Sequence, residues 1–254
     1  MPNIKIIVAT HKKYQMPTDN MYLPLHVGRE GKEDLGYVGD NSGINISKKN
    51  SSWCELTGLY WAWKNLNCDY LGLVQYRRHF MKKRKGGTFD SILTKEEAEQ
   101  LLNKADIVVP KHRNYLIMNL EEHFNGYDFT IDSDIDNIRK AIHDVSPEYD
   151  GAFNTVMRRK IAHMFNMFIM KKTLVDQFCE WEFSVLEYFE KLIGPNRGRL
   201  VGYVAEQLID VWIEKNGYSY IECDVVYMDS KNNLYRKIDY LCRKFGIKHR
   251  FIKV

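Results

Sequence analysis

The chain has 254 residues, enough for one large domain or two small ones with a full core, and its 44% hydrophobic and 28% charged residues are those of an ordinary globular protein. A net charge of +4 is too small to argue for nucleic-acid binding, so no nucleic-acid partner is expected. No apolar run approaches the roughly 20 residues that span a bilayer, and the opening MPNIKIIVATHKK is a short strand rather than a signal peptide.

Residues 4–9 (IKIIVA) are a β-branched run that predicts a buried first strand, followed by the polar Thr10, His11 and Lys12. Residues 17–36 carry proline, glycine and mixed charge, and read as loop. The stretch from Asp40 to Asn50 is polar and rich in Gly and Asn. Residues 53–65 repeat Leu56, Leu59, Tyr60 and Trp63 at helical spacing, with Ser51 and Ser52 as N-caps and Glu55 placed for a capping box. Residues 69–75 predict a second buried strand, with Tyr76, Arg77 and Arg78 at its carboxyl end. A charged loop (82–87), a capped helix (94–103) and a short strand (105–109) stopped by Pro110 come next. Helices are expected at 133–145, 149–162, 172–193 and 201–216, and strands at 164–170 and 219–228.

Strand and helix alternate in the first half, helices dominate the second, and no linker or repeat intervenes. The expectation is an α/β layered sheet in a single domain spanning 1–254. In open α/β sheets ligands bind outside the carboxyl ends of the strands. The Arg77 and Arg78 guanidiniums there suggest an anionic ligand, most simply a diphosphate. Asp40, Asn41, Asn45 and Ser47 could meet ribose or sugar hydroxyls, with backbone N–H groups near Gly43 for phosphate oxygens; an Asx-rich turn capping the next helix is the plainer alternative. The run Asp132-Ser133-Asp134-Ile135-Asp136 looks like a doubled Asp-x-Asp, but it precedes a helix, and capping explains it better than metal binding. No metal site or cofactor is assigned; manganese or magnesium is the option that a chelator would expose.

The five cysteines (Cys54, Cys68, Cys179, Cys223, Cys242) show no zinc-ligand spacing, which suggests a reducing, cytoplasmic setting. The tail at 235–254 interleaves Arg236, Lys237, Arg243, Lys244, Lys248, Arg250 and Lys253 with apolar residues. It reads either as a basic amphipathic segment on the cytoplasmic face of an inner membrane or as a terminal helix docked on the domain.

Several blocks in order resemble a known family: IVATHK, DNSGINISKKN, CELTGLYWAWKN, DYLGLVQYRRHF, HMFNMFIMKK, the CEWEF helix and VGYVAEQL, over about residues 4–215. The family is that of bacterial capsular- and exopolysaccharide-synthesis glycosyltransferases, long catalogued as a domain of unknown function, some of whose members are galactofuranosyltransferases. Gln75 departs from the family pattern, which has a histidine before Tyr-Arg-Arg. The resemblance implies a GT-A-like nucleotide-binding sheet flanked by helices, with a nucleotide-sugar half at about 1–110 and a helix-rich acceptor half at about 111–230. It implies transfer of a hexose, galactofuranose or galactose favoured, from a UDP-sugar to a lipid-linked glycan of capsule, exopolysaccharide or O-antigen synthesis. It places Thr10 and His11 at the nucleotide, and Tyr76, Arg77 and Arg78 where many GT-A enzymes carry a metal motif. Glu206 becomes the carboxylate base that an inverting transfer needs, with Asp40 and Glu55 as weaker candidates. His123, Tyr127 and Asn166, with Met167, become acceptor contacts. The competing reading is a non-catalytic glycan- or nucleotide-sugar-binding component of a polysaccharide-synthesis complex. Phosphotransfer is disfavoured, because neither a GxxxxGK[ST] loop nor a kinase glycine loop occurs.

Overall fold

Every residue of the first strand except Lys5 is buried, which only a strand covered on both faces achieves. The computed structural model describes residues 2–82 and 89–228. The expected tail, and the loop at 82–87 beyond Lys82, lie outside the described residues. In chain order the elements are β1 (Ile4–Thr10), β2 (Tyr22–His26), β3 (Val38–Gly39), α1 (Asn50–Trp53), α2 (Leu56–Asn65), β4 (Tyr70–Gln75) and β5 (Arg78–Phe80). Then come α3 (Lys95–Leu102), β6 (Ile107–Pro110), β7 (Arg113–Asn114), α4 (Leu120–Asn125), α5 (Ser133–Val145), α6 (Asp150–Met157) and β8 (Ile161–Ala162). The last are β9 (Phe168–Lys171), α7 (Lys172–Ile193), α8 (Leu200–Asn216), β10 (Tyr220–Cys223) and β11 (Val225–Tyr227).

The central sheet runs β10-β6-β9-β4-β1-β2-β3 and is parallel except for β9, which is antiparallel to both neighbours. From β1 the chain goes to one side as β2 and returns to the other as β4, so the strand order reverses at β1. A crevice forms at the carboxyl ends of such a reversal. A Cβ on Gly72 would sit 2.9 Å from the Phe168 carbonyl, so the close pairing of β4 with β9 requires glycine. The helices flank this sheet. On α7, Phe183 is stacked between Trp53 (5.6 Å) and Trp63 (5.7 Å), so much of the aromatic content serves the core. His163 ties the loop before β9 to α8 and β10: its Nδ1 meets Asp210 at 2.5 Å and its Nε2 meets Glu222 at 3.2 Å.

Several expectations need correction. The loop expected at 17–36 contains β2, whose Pro24 hides it from a propensity reading. The Val27 N–H donates to the Thr10 carbonyl at 2.9 Å, and strand alternation then turns the nitrogen of Pro24 away from β1. The single helix expected at 53–65 is broken at Cys54, whose backbone is left-handed in φ (52°). Neither Ser51 nor Ser52 is an N-cap, and Glu55 closes no capping box. The helix expected at 149–162 stops at Met157, and the chain enters β8. Of the strand expected at 164–170 only β9 forms, because Phe165 (φ 80°) and Asn166 (φ 53°) make a tight turn. The last strand is two: β10 runs parallel to β6, and β11 pairs antiparallel with β5. Among the described residues no helix is long and apolar enough to cross a membrane.

Candidate functional site

At the carboxyl ends of β1 and β4 lies a cavity of about 580 Å³, within the size range of small-molecule sites. The strand ends contribute His11, Gln75, Tyr76, Arg77 and Arg78 to its wall. The α1–α2 break contributes Cys54 and Glu55, and α8 contributes Arg199 at its N-cap, then Gly202, Tyr203 and Glu206. Arg113, Tyr127, Phe165 and Lys32 also line it, together with Ala9, Val27, Asn50 and Ser51. Arg199, Tyr203 and Glu206 are four and then three positions apart, which puts them on one helix face. Gly202 lies between them because α8 runs close to α1: a Cβ there would sit 2.9 Å from Cys54 Sγ.

The backbone breaks position the polar groups. The left-handed φ of Cys54 comes immediately before Glu55, whose Oε1 accepts hydrogen bonds from Gln75 Nε2 (2.9 Å) and Asn166 Nδ2 (3.1 Å). Gln75 also accepts a bond from the Arg78 guanidinium through its Oε1, so one amide holds an acid and a base in register. The Arg78 guanidinium lies 4.5 Å from the Phe165 ring centroid, and its Nε is buried without a partner among the described residues. Burial and the neighbouring Arg77 charge lower the Arg78 pKa. Arg199 donates from Nε to Cys54 Sγ at 3.1 Å. The Cys54 thiol is pushed up to about 11 by burial and by Glu55, so it stays neutral.

Glu206 differs from Glu55, the other carboxylate of the wall. It has no hydrogen-bond partner among the described residues. Burial, and then the Glu55 charge, push its pKa up to about 7, against the opposing pull of Arg78, Arg113 and Arg199. His11 is shifted the other way, its pKa lowered by burial and by Lys12 and Arg77, so its imidazole is neutral at neutral pH. The cleft therefore holds four guanidiniums, the hydrogen-bonded Glu55 and one carboxyl group that titrates near neutrality.

Of the residues singled out from sequence, His11, Glu55, Tyr76, Arg77, Arg78, Tyr127 and Glu206 come together on this wall. Thr10 is fully buried and bonds the Lys12 carbonyl. Asp40 is also fully buried, and its oxygens accept from Gly28 N, Arg29 N, Ser47 Oγ and Thr57 Oγ1 at 2.5–3.0 Å. That leaves Asp40 and Ser47 locked in a loop knot away from the lining. Asn41 and Asn45 are exposed, and Asn45 bonds within its own turn. His123 sits behind Tyr127, with Nε2 3.2 Å from its hydroxyl. Asn166 is not on the lining but holds Glu55, and Met167 is core. The capping reading of the acidic run is corrected in detail. Asp132 makes no capping bond, whereas Asp134 accepts from Ile131 N (2.9 Å) and Arg197 (2.6 Å), and Asp136 from Arg139 (2.8 Å). No group of three metal-ligating side chains converges among the described residues.

Sequence reasoning missed Lys32, Arg113, Arg199 and Tyr203. The helical spacing of Arg199, Tyr203 and Glu206 was the available signal; nothing local points to Lys32 or Arg113.

A mostly parallel α/β sheet with a guanidinium-walled cleft at its carboxyl edge defines a protein suited to an anionic small molecule beside a titratable carboxyl group. The chain belongs to the family described as domain of unknown function DUF4422, which matches residues 5–217. It is also similar to a solved apo structure of WbbM, a bifunctional glycosyltransferase, with a TM-score of 0.82 and 27% identity over 90% of this chain. That match covers 46% of the WbbM chain, so this chain spans less than half of that protein's length. No curated protein matches the chain.

Proposed function

We propose that the chain is a glycosyltransferase of GT-A type that moves a hexose, galactofuranose or galactose favoured, from a UDP-sugar to a lipid-linked glycan. The observation that carries this reading is the cleft itself: Arg77, Arg78, Arg113 and Arg199 face the same space as the unpartnered Glu206 carboxylate. Departure of a nucleoside diphosphate develops negative charge, and fixed guanidiniums offset it where the charge appears. Glu206, ionised for a substantial fraction of the time near pH 7, takes the proton of the acceptor hydroxyl as that oxygen attacks the anomeric carbon. The C–O bond to the diphosphate breaks as the new glycosidic bond forms, and the configuration inverts. His11 and Tyr76, at the strand ends, face the nucleotide, and Tyr127 faces the acceptor. The likeness to part of a bifunctional glycosyltransferase supports the same reading.

The test is turnover of a panel of nucleotide sugars by the purified chain. UDP-galactofuranose or UDP-galactose should be consumed ahead of UDP-glucose and a GDP-sugar. Arg78→Ala should cut transfer on the order of 10²-fold or more. Tight binding of a UDP-sugar with no transfer to any acceptor would favour the binding-component alternative.

A further inference from the structure

We propose that the tip between β7 and α4 is a membrane-contact surface that seats the chain on an anionic bilayer beside the cleft. Leu116 is 53% exposed and Ile117 62%, and Ile161, on the strand paired with this segment, is 40% exposed. Ile44 (59%) and Ile131 (55%) are exposed to a similar degree. Leu116 and Ile117, however, are adjacent in the chain and share their tip with Ile161 of the paired strand, and clustered apolar exposure marks interaction sites.

The tip is built rather than loose. Tyr115, at its base, is 1% exposed, and its N–H donates to the Lys160 carbonyl at 2.8 Å. Asn114 Oδ1 accepts from the Leu116 N–H at 2.8 Å, and the Ile117 N–H donates to the Tyr115 carbonyl at 2.7 Å. Leu116 itself is in the left-handed region (φ 58°), a conformation that costs energy for a residue with a Cβ. The strained turn is held while both aliphatic side chains face outward.

Charge names the occupant. Lys111 and Arg113 precede the tip, and Arg158 and Lys160 lie on the neighbouring segment; all four are exposed. That segment is stitched to the tip by the Lys160 carbonyl and by the Arg159 carbonyl, which accepts from the Leu120 N–H at 2.9 Å. The nearest following acids are occupied: Glu121 pairs with Arg139, and Glu122 closes the capping box of α4. An aliphatic tip within a cationic rim matches the headgroup layer of an anionic leaflet, where apolar residues enter the acyl boundary and Lys and Arg meet phosphate. A tip this small falls short of the roughly 800 Å² per partner of a stable protein interface. Arg113 belongs to both the rim and the cleft wall, so a bilayer here lies against the mouth where a lipid-linked acceptor would enter. That last consequence alone rests on the proposed activity.

The experiment is sedimentation of the full chain with phosphatidylcholine vesicles, with and without phosphatidylglycerol. The chain should bind the anionic vesicles preferentially, and added salt should weaken the binding. Leu116→Asp combined with Ile117→Asp should lower the bound fraction on the order of tenfold, with an unchanged melting temperature. Ile117→Trp should tighten binding, because indole favours the interface. The tail at 235–254 is present in every protein compared, so differences report on the tip. Absence of anionic-vesicle binding by the parent, or parent-level binding by both variants, overturns the proposal. No sugar enters this assay, so a chain that binds vesicles but transfers nothing refutes only the glycosyltransferase reading.

Discussion

Asp40 is a fully buried carboxylate and Glu206 a half-buried one on the cleft wall, and their surroundings are opposite. Asp40 receives four donors from three separate stretches of chain and lines no cavity. Glu206 receives none from the described residues and faces an open cleft. A buried acceptor with every lone pair in use reports on stability, because any ligand would have to displace bonds already made. A carboxyl group without donors, held near its ionisation midpoint by burial and by the Glu55 charge, reports on chemistry. The contrast separates the polar, Asn-rich loop from the cleft: the acceptor capacity of Asp40 is used in folding that loop.

Four measurements bear on the contrast. The largest effect is expected from Glu206→Gln, which removes the proton acceptor and should lower the transfer rate by about 10²–10⁴-fold. The same variant should melt higher than the parent above pH 7. The folded-state pKa of Glu206 is raised to about 7, above its unfolded value, so the parent loses stability as pH rises between those two values, and glutamine does not. Asp40→Ala should do the reverse. It strands four donors and should cost about 3–5 kcal/mol, read as a melting temperature lower by ~10 °C. An Asp40→Ala chain that melts like the parent yet transfers nothing would erase the distinction. The smallest effect is the pH profile of the parent, in which transfer should fall about tenfold per unit below pH 7 as Glu206 becomes protonated. A profile flat from pH 5 to 8 would take the base role from Glu206.

The elements carried by strong periodicity were legible: the β-branched run of β1, the apolar run of β4, and the amphipathic α3, α5, α7 and α8. Elements that exist only through their neighbours were not. β5, β7 and β8 are two or three residues long and form because a partner strand is present. The break at Cys54 has no local signature, since cysteine carries no preference for left-handed φ; it lies where α8 packs closely against α1 at Gly202. Within the cleft, Arg77 and Arg78 were legible because a strand end is a predictable place, and Glu206 because it sits in a recognisable block. The spacing of Glu55 from Ser52 fits a capping box, and the family resemblance offers it as a weaker base; the tertiary partners Gln75 and Asn166 take up its carboxylate instead of a cap.

The pairing of β5 with β11 bears on how the chain can be shortened. Tyr227 is in register with Arg78, and the Met228 N–H donates to the Arg77 carbonyl at 3.0 Å. The twin guanidiniums are thus splinted from behind by residues that follow the matched stretch at 5–217. A fragment trimmed to that stretch would keep the side chains that face the cleft but lose the brace that fixes their backbone.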